Sequence, residues 1–138
     1  MDHLHLVYED EILKLYWDTQ AQYHIAEWLG AVKGDKLKNG SYACLNASKT
    51  RPSKGWLADT TRMNTLAPDD YASIVEDFYP RLARSGVRYV AFVVPEKTLV
   101  HIPVRRMNKA YGDKGQIEFE YHGTRQAAAD WLASKIQE

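Results

Sequence analysis

Gly55-Trp56-Leu57-Ala58-Asp59-Thr60-Thr61-Arg62-Met63-Asn64 passes from apolar to polar within a few residues. Trp56-Leu57-Ala58 predicts a short buried strand. The polar cluster that follows predicts a loop at its carboxyl end. An α/β protein places its working groups just beyond the ends of such strands. Asp59, Thr60, Thr61, Arg62 and Met63 are therefore the first candidate site.

Toward the N-terminus, Arg51-Pro52-Ser53-Lys54 breaks a helix predicted over 35–49, with Asp35 as its N-cap. Leu37, Cys44, Leu45 and Ser48 share one face of it. Gly40 and Ser41 keep that face small, which suits close packing on a sheet. Before the helix, Tyr23 to Leu29 predicts a strand with apolar residues on both parities, hence covered on both sides. Gly30 and Gly34 are expected to loosen the connection. Leu4, Leu6 and Tyr8, then Leu13, Leu15 and Trp17, alternate across Glu9-Asp10-Glu11 and predict an antiparallel hairpin.

Toward the C-terminus, Ala67-Pro68-Asp69-Asp70 starts a helix with proline near its first turn and two carboxylates at its positive end. Tyr71, Ile74, Val75, Phe78 and Leu82 then recur at helical spacing. Pro80 must kink or break this helix near Tyr79, because it removes the bond to residue 76. Ser85-Gly86 ends it. Val87 to Val94 is almost unbroken in apolarity and predicts a central strand buried on both faces. Leu99, Ile102, Met107 and Ala110 suggest a helix interrupted at Pro103, and Gly112-Asp113-Lys114-Gly115 a turn. Ile117, Phe119 and Tyr121 predict a strand near an edge with one wet face. Thr124 caps a last helix with Ala128, Trp131, Leu132 and Ile136 facing inward.

This order, β-β-β-α-β-α-β-(α)-β-α, predicts one α/β domain over residues 1–138. Its sheet would be mixed, of about five to six strands, with an antiparallel N-terminal portion and helices packed on it. An apolar fraction of 45% suits a packed core. The 18 basic and 18 acidic residues cancel, so no general attraction for nucleic acid is expected. No run is long and apolar enough for a membrane span, and the start lacks the pattern of a leader, so a cytoplasmic protein is expected. Cys44 has no second cysteine to pair with and is expected to be a buried thiol.

The order of elements resembles the STAS fold, and more closely the SpoIIAA-like (STAS/SEC14-like) group of small bacterial proteins. The resemblance is carried by Ile25-Ala26-Glu27-Trp28-Leu29-Gly30, Gly55-Trp56-Leu57-Ala58-Asp59, Gly86-Val87-Arg88-Tyr89-Val90-Ala91 and Ala128-Ala129-Asp130-Trp131-Leu132. It covers nearly the whole chain through short motifs. In anti-sigma-factor antagonists of this fold, an Asp-Ser-Ser-Gly-type motif at the strand-to-helix junction carries a phosphorylated serine that controls partner binding. The resemblance places Asp59 at the leading acid and Thr60 and Thr61 at the two serines. Arg62 stands where that motif has glycine, and several more residues precede Pro68. It implies a fold and a signalling or ligand-binding theme rather than a reaction.

Two readings of the Asp59–Met63 stretch stay open. In one, it is a phosphoacceptor or partner-binding loop. In the other it is a capping network, with Asp59 and the hydroxyls on backbone N–H groups and Arg62 paired with Asp59. Lys97, His101, Arg105, Arg106 and Lys109 form a basic segment, read either as an anion patch (Arg105, Arg106 and Lys109) or as a solvated helix face. His3, His5 and His24 lack the Cys or Glu that would complete a zinc set, so a solvated strand face is expected in place of a metal site, and no cofactor. Trp17, Trp28, Trp56, Tyr16, Tyr23 and Tyr89 suit an apolar pocket, a core, or the face of a homodimer. Glu118 and Glu120 lie on a wet strand face, a poor place for acid–base catalysis. The expectation is a non-enzymatic regulatory or protein-interaction module. The alternative is a carrier of a small apolar or lipid-like ligand between the sheet and the Tyr71–Leu82 helix.

Overall fold

Strand-forming runs at the start meet helix-forming runs later, and the chain resolves the two into one sheet covered on both faces. The computed structural model describes residues 3–95, 101–112 and 115–137. Strands β1 (Leu4–Glu9), β2 (Leu13–Asp18), β3 (Tyr23–Val32), β4 (Gly55–Leu66), β5 (Tyr89–Val93) and β6 (Glu118–His122) form a six-stranded sheet in sequence order. β1, β2 and β3 pair antiparallel, and β3 to β6 pair parallel. This is the mixed α/β sheet expected from the pattern.

Helix α1 (Gly34–Thr50) connects β3 to β4. Its N-cap is Lys33, with no side-chain cap bond, so Asp35 is not the cap; it lies in the first turn, where its charge still favours the dipole. Leu37, Gly40, Cys44, Leu45 and Ser48 are buried as their spacing predicts. A Cβ on Gly40 would meet the Trp28 ring at 2.9 Å, so a side chain there would have to displace the ring or the helix.

The helix over 68–84, α2, is composite. A 3₁₀ turn (Pro68–Asp70) and an α turn (Tyr71–Ser73) lead into a π turn (Ile74–Phe78), and α geometry resumes over Tyr79–Arg84. Pro80 has no N–H for the carbonyl of Glu76, and the chain widens by one residue just before it instead of breaking. Gly86, at φ +118°, then turns the chain out of the helix, a conformation open to glycine.

α3 (His101–Gly112) is continuous through Pro103, which sits in its first described turn and interrupts nothing. Val104, Met107, Asn108 and Tyr111 face inward, whereas Ala110 is exposed. Leu99 and Lys97, and Asp113 and Lys114 of the expected turn, lie outside the described residues. α4 (Arg125–Ile136) is capped as expected: Thr124 Oγ1 accepts from Ala127 N at 3.1 Å. Ala128 and Leu132 are buried, and Trp131 and Ile136 pack beside them.

Two cores result. Helices α1, α2 and α3 cover one face, around Leu13, Leu15, Trp28, Tyr79, Leu82 and Phe92. Among the described residues helix α4 alone covers the other, over Tyr23, Ile25, Leu57, Ala91 and Val93. Both faces of β3 and β5 are thereby covered, as their unbroken apolarity predicts. β6 is an edge strand with Glu118 and Glu120 exposed.

Candidate functional site

The stretch predicted as a loop is strand. β4 does not stop at Ala58 but continues to Leu66, and the junction with α2 lies several residues beyond Thr61. Threonine is β-branched and fits a pleated surface, so Thr60, Thr61 and Thr65 support this extension. What hides it in the sequence is a pair of bulges. Between Glu27↔Asp59 and Leu29↔Arg62, and again between Gly30↔Met63 and Ala31↔Thr65, β4 carries one residue more than β3. Each extra residue interrupts the two-residue alternation from which a strand is read. Gly30, at φ +67°, lies in the strand at the second bulge and is not part of a loose connection. The last pairing of β4 with β5 is Asp59↔Val93. Beyond it, among the described residues, β4 pairs only with β3, and its other edge is open.

The bulges divide the candidate residues between the two faces. Asp59 is buried on the α4 side, where its neighbour in register is Glu27 of β3. Arg125, the first residue of α4, bonds both: its Nε donates to Asp59 Oδ2 at 2.7 Å and its Nη2 to Glu27 Oε2. Burial works against the guanidinium charge, but the bonds and charges of Asp59 and Glu27 outweigh it, and its pKa is raised. The other oxygen of Asp59 accepts from Thr61 N at 3.0 Å and Thr61 Oγ1 at 2.7 Å. Asp59 thus binds a backbone N–H and a hydroxyl as the capping reading expects, but its cation is Arg125 and not Arg62. Arg62 is exposed. Nothing local in the sequence could point to Arg125, which arrives from 66 residues away.

Thr60 faces the other side. Its hydroxyl donates to Val93 O at 3.0 Å and it is 3% exposed. With Met63 it lines a cavity of about 60 Å³ between the sheet and α2, whose other walls include Trp28, Phe78, Phe92 and Met107. Pockets for drug-sized ligands run to several hundred Å³ (roughly 300–1,000). Of the aromatics expected at a pocket, only Trp28 lines this one. Tyr16, Tyr23 and Tyr89 pack on the α4 face. Trp17 and Trp56 flank His24. The Thr60→Val variant keeps the shape and loses the bond to Val93. It is expected to lose about 1 kcal/mol in urea denaturation, while unchanged stability would mean that the bond contributes nothing net.

The remaining candidates are scattered. Arg105, Arg106 and Lys109 are exposed on α3. The Arg105 guanidinium lies 4.5 Å from the centre of the Tyr121 ring, and Arg105 and Lys109, but not Arg106, border a groove that also contains Glu118. The side chain of His101 and the whole of Lys97 lie outside what is described. His5 and His24 share a row of the sheet but are separated by Trp17, and His24 is not on a solvated face but buried between Trp17 and Trp56, while Nε2 of His3 lies 3.7 Å from Asp18. Among the described residues no three metal-ligating side chains come together, and no helix is long and apolar enough to cross a membrane. One buried polar group was not anticipated: Asn108, fully buried, accepts from the Tyr79 hydroxyl and donates to that of Tyr121 at 3.1 Å. It ties α3 to α2 and β6.

A mixed sheet in sequence order, a lone helix on one face and an acid at the end of β4's pairing with β5 can be compared with solved structures. The chain is similar to an uncharacterized protein of the DUF3478 family from Shewanella loihica PV-4, described as having a SpoIIAA-like fold. The match covers 94% of this chain and 91% of that one, with a TM-score of 0.56 and 14% identity. The fold is SpoIIAA-like. At that identity the likeness carries the fold and no activity. No protein-family model matches the sequence, and no curated protein matches it. Within the SpoIIAA-like frame, β4's long overhang and its ion cluster with α4 are what this chain sets at the place where the resemblance puts a phosphoacceptor.

Proposed function

We propose that this SpoIIAA-like chain is a non-enzymatic regulatory module that docks a partner protein on the outer part of β4 and is switched at Thr61. One observation carries the reading. The exposed Thr61 hydroxyl bonds the same Asp59 carboxylate that holds Arg125 at the start of α4. A phosphate there brings a charge of about −1.5 to −2 against Asp59 and competes with it for Arg125. The docking surface and the anchor of α4 would change together. Thr60 is the poorer acceptor, because it is buried, whereas Thr61 is exposed. Among the described residues β4 has no strand partner on its β5 side beyond Asp59, which supports docking by strand addition, in which main-chain bonds give affinity and Arg62, Asn64 and Thr65 give selectivity. Arg105, Arg106 and Lys109 add an exposed basic strip for an acidic stretch of the partner.

The test is phosphate mapping on protein from its native host, together with capture of its partner by wild type, Thr61→Val and Thr61→Glu. Phosphate on Thr61, and binding weakened about tenfold or more by Thr61→Glu but not by Thr61→Val, is the expected result. An unmodified Thr61, with equal capture by all three, would sink the switch. A carrier of a small apolar ligand is the second reading, favoured by the apolar cavity under α2. At about 60 Å³ it takes only a few heavy atoms unless the helix moves.

A further inference from the structure

β1 is an outer strand of the sheet, and among the described residues nothing pairs with its far side. Thr19 N donates to His3 O at 2.8 Å, and His5 stands opposite Trp17. Antiparallel alternation therefore spends the main-chain groups of His3 and His5 on β2 and turns those of Leu4 and Leu6 outward. The bulge at Val7 shifts the register before Tyr8 and ends this regular run. What stays open is short: the N–H and C=O of two leucines with one residue between them.

The two edges of the sheet are finished differently. β6 carries the exposed Glu118 and Glu120, with Lys135 3.5 Å from Glu118. Charges on an edge discourage another strand from adding. β1, Leu-His-Leu-Val-Tyr-Glu, has neither lysine nor proline, and its one carboxylate, Glu9, lies past the bulge, 3.7 Å from Lys14. Leu6 and Val7, at 47% and 41% exposure, are two of the three large hydrophobics left open on the described surface. Leu6 pairs with Tyr16 on the α4 face, and Leu4 and Tyr16 both border the core beneath α4. An apolar edge of this kind is covered when a further strand joins it.

We propose that the joining strand is β1 of a second copy of this chain, set antiparallel about a two-fold axis at His5. The open run is its own complement. A rotation about that axis brings Leu4 of one copy opposite Leu6 of the other, and each such pair can exchange both main-chain bonds. On the α4 face the leucines of both copies then form one apolar strip between the two Tyr16 side chains. On the α1 face Val7 meets His3 of the second copy, and the two His5 meet at the axis. No carboxylate is set against another, because Glu9, Asp10 and Glu11 lie outside the paired run. The interface is small, so the dimer is weak and concentration-dependent, with a Kd of roughly 10–100 µM. β2 and β3 separate β1 from β4, so self-pairing leaves the docking surface at Thr61 free and is tested apart from it.

Sedimentation equilibrium of the full chain from about 5 to 500 µM, with amide hydrogen exchange at both ends of that range, is the test. The expected result is a monomer–dimer equilibrium in which the Leu4 and Leu6 amides are protected several-fold at high concentration only, while the amide of His5, already turned toward β2, changes less. Leu6→Lys alters an exposed side chain and should weaken the dimer about tenfold or more. Tyr42→Ser, which removes the third exposed hydrophobic, on α1, should leave it unchanged. The proposal is overturned if the chain stays monomeric throughout, if Leu6→Lys dimerises as tightly as wild type, or if a dimer forms without protecting the Leu4 and Leu6 amides.

Discussion

Arg125→Leu is expected to lower stability by about 3 kcal/mol in urea denaturation, the largest effect of any polar substitution here. Asp59 and Glu27 keep only 8% and 17% of their side-chain surface and are adjacent in register, so without the guanidinium two carboxylates face each other with little water. Breaking a buried pair costs roughly 3–5 kcal/mol, and the figure is placed at the low end because Arg125 is itself 37% exposed. The origin of the loss is testable. If it is uncompensated charge, adding Glu27→Gln and Asp59→Asn to Arg125→Leu recovers most of it. If the triple variant is no more stable than the single, Arg125 matters for packing at the start of α4 and the ion cluster contributes little.

His24 should make stability depend on pH by roughly 3 kcal/mol over the full window. Burial between the indoles, with a smaller contribution from the charge of Arg51, lowers its pKa from 6.5 to about 4. Between those values the unfolded chain binds a proton that the folded chain does not. Stability therefore rises with pH across this window: it is fully present above about 6.5 and is lost as pH falls toward about 4. Denaturation midpoints of wild type and His24→Phe, measured from pH 4.5 to 7.5, isolate the term. The difference between them should shrink or reverse as pH falls, because the variant has no proton to take up. Parallel profiles would show that the imidazole titrates alike in both states.

How much of this was legible depends on whether the signal is local. The hairpin, the buried strand Tyr89–Val93, the Thr124 cap and the face of α1 each depend on residues close together in the chain, and each is found where spacing puts it. Pro80 was legible as a disturbance, but a missing donor does not reveal whether the chain breaks or widens, and here it widens. β4 was misread because its bulges cancel the alternation, and a bulge is decided by the partner strand. Arg62 is the cation that sequence places nearest Asp59, but the one that bonds it is Arg125. Arg125 reaches it through the path of α4 over the sheet. Of the residues whose spacing suggests α3, Met107 is buried and Ala110 is exposed, and Val104 and Asn108 are buried beside Met107.

β4 belongs to two mechanical objects. As far as Asp59 it is an interior strand, bonded on both sides and covered by helices on both faces. From Thr60 onward, among the described residues, it pairs only with β3, and this part leads straight into α2. A force or a bound partner acting on this part has a short lever to the helix and a long, stiff root in the core. Val32 of β3 and Met63 and Leu66 of this part pack into the same core as Ile74, Tyr79 and Leu82 of α2, so a load on it reaches the helix through side-chain contact as well as along the chain.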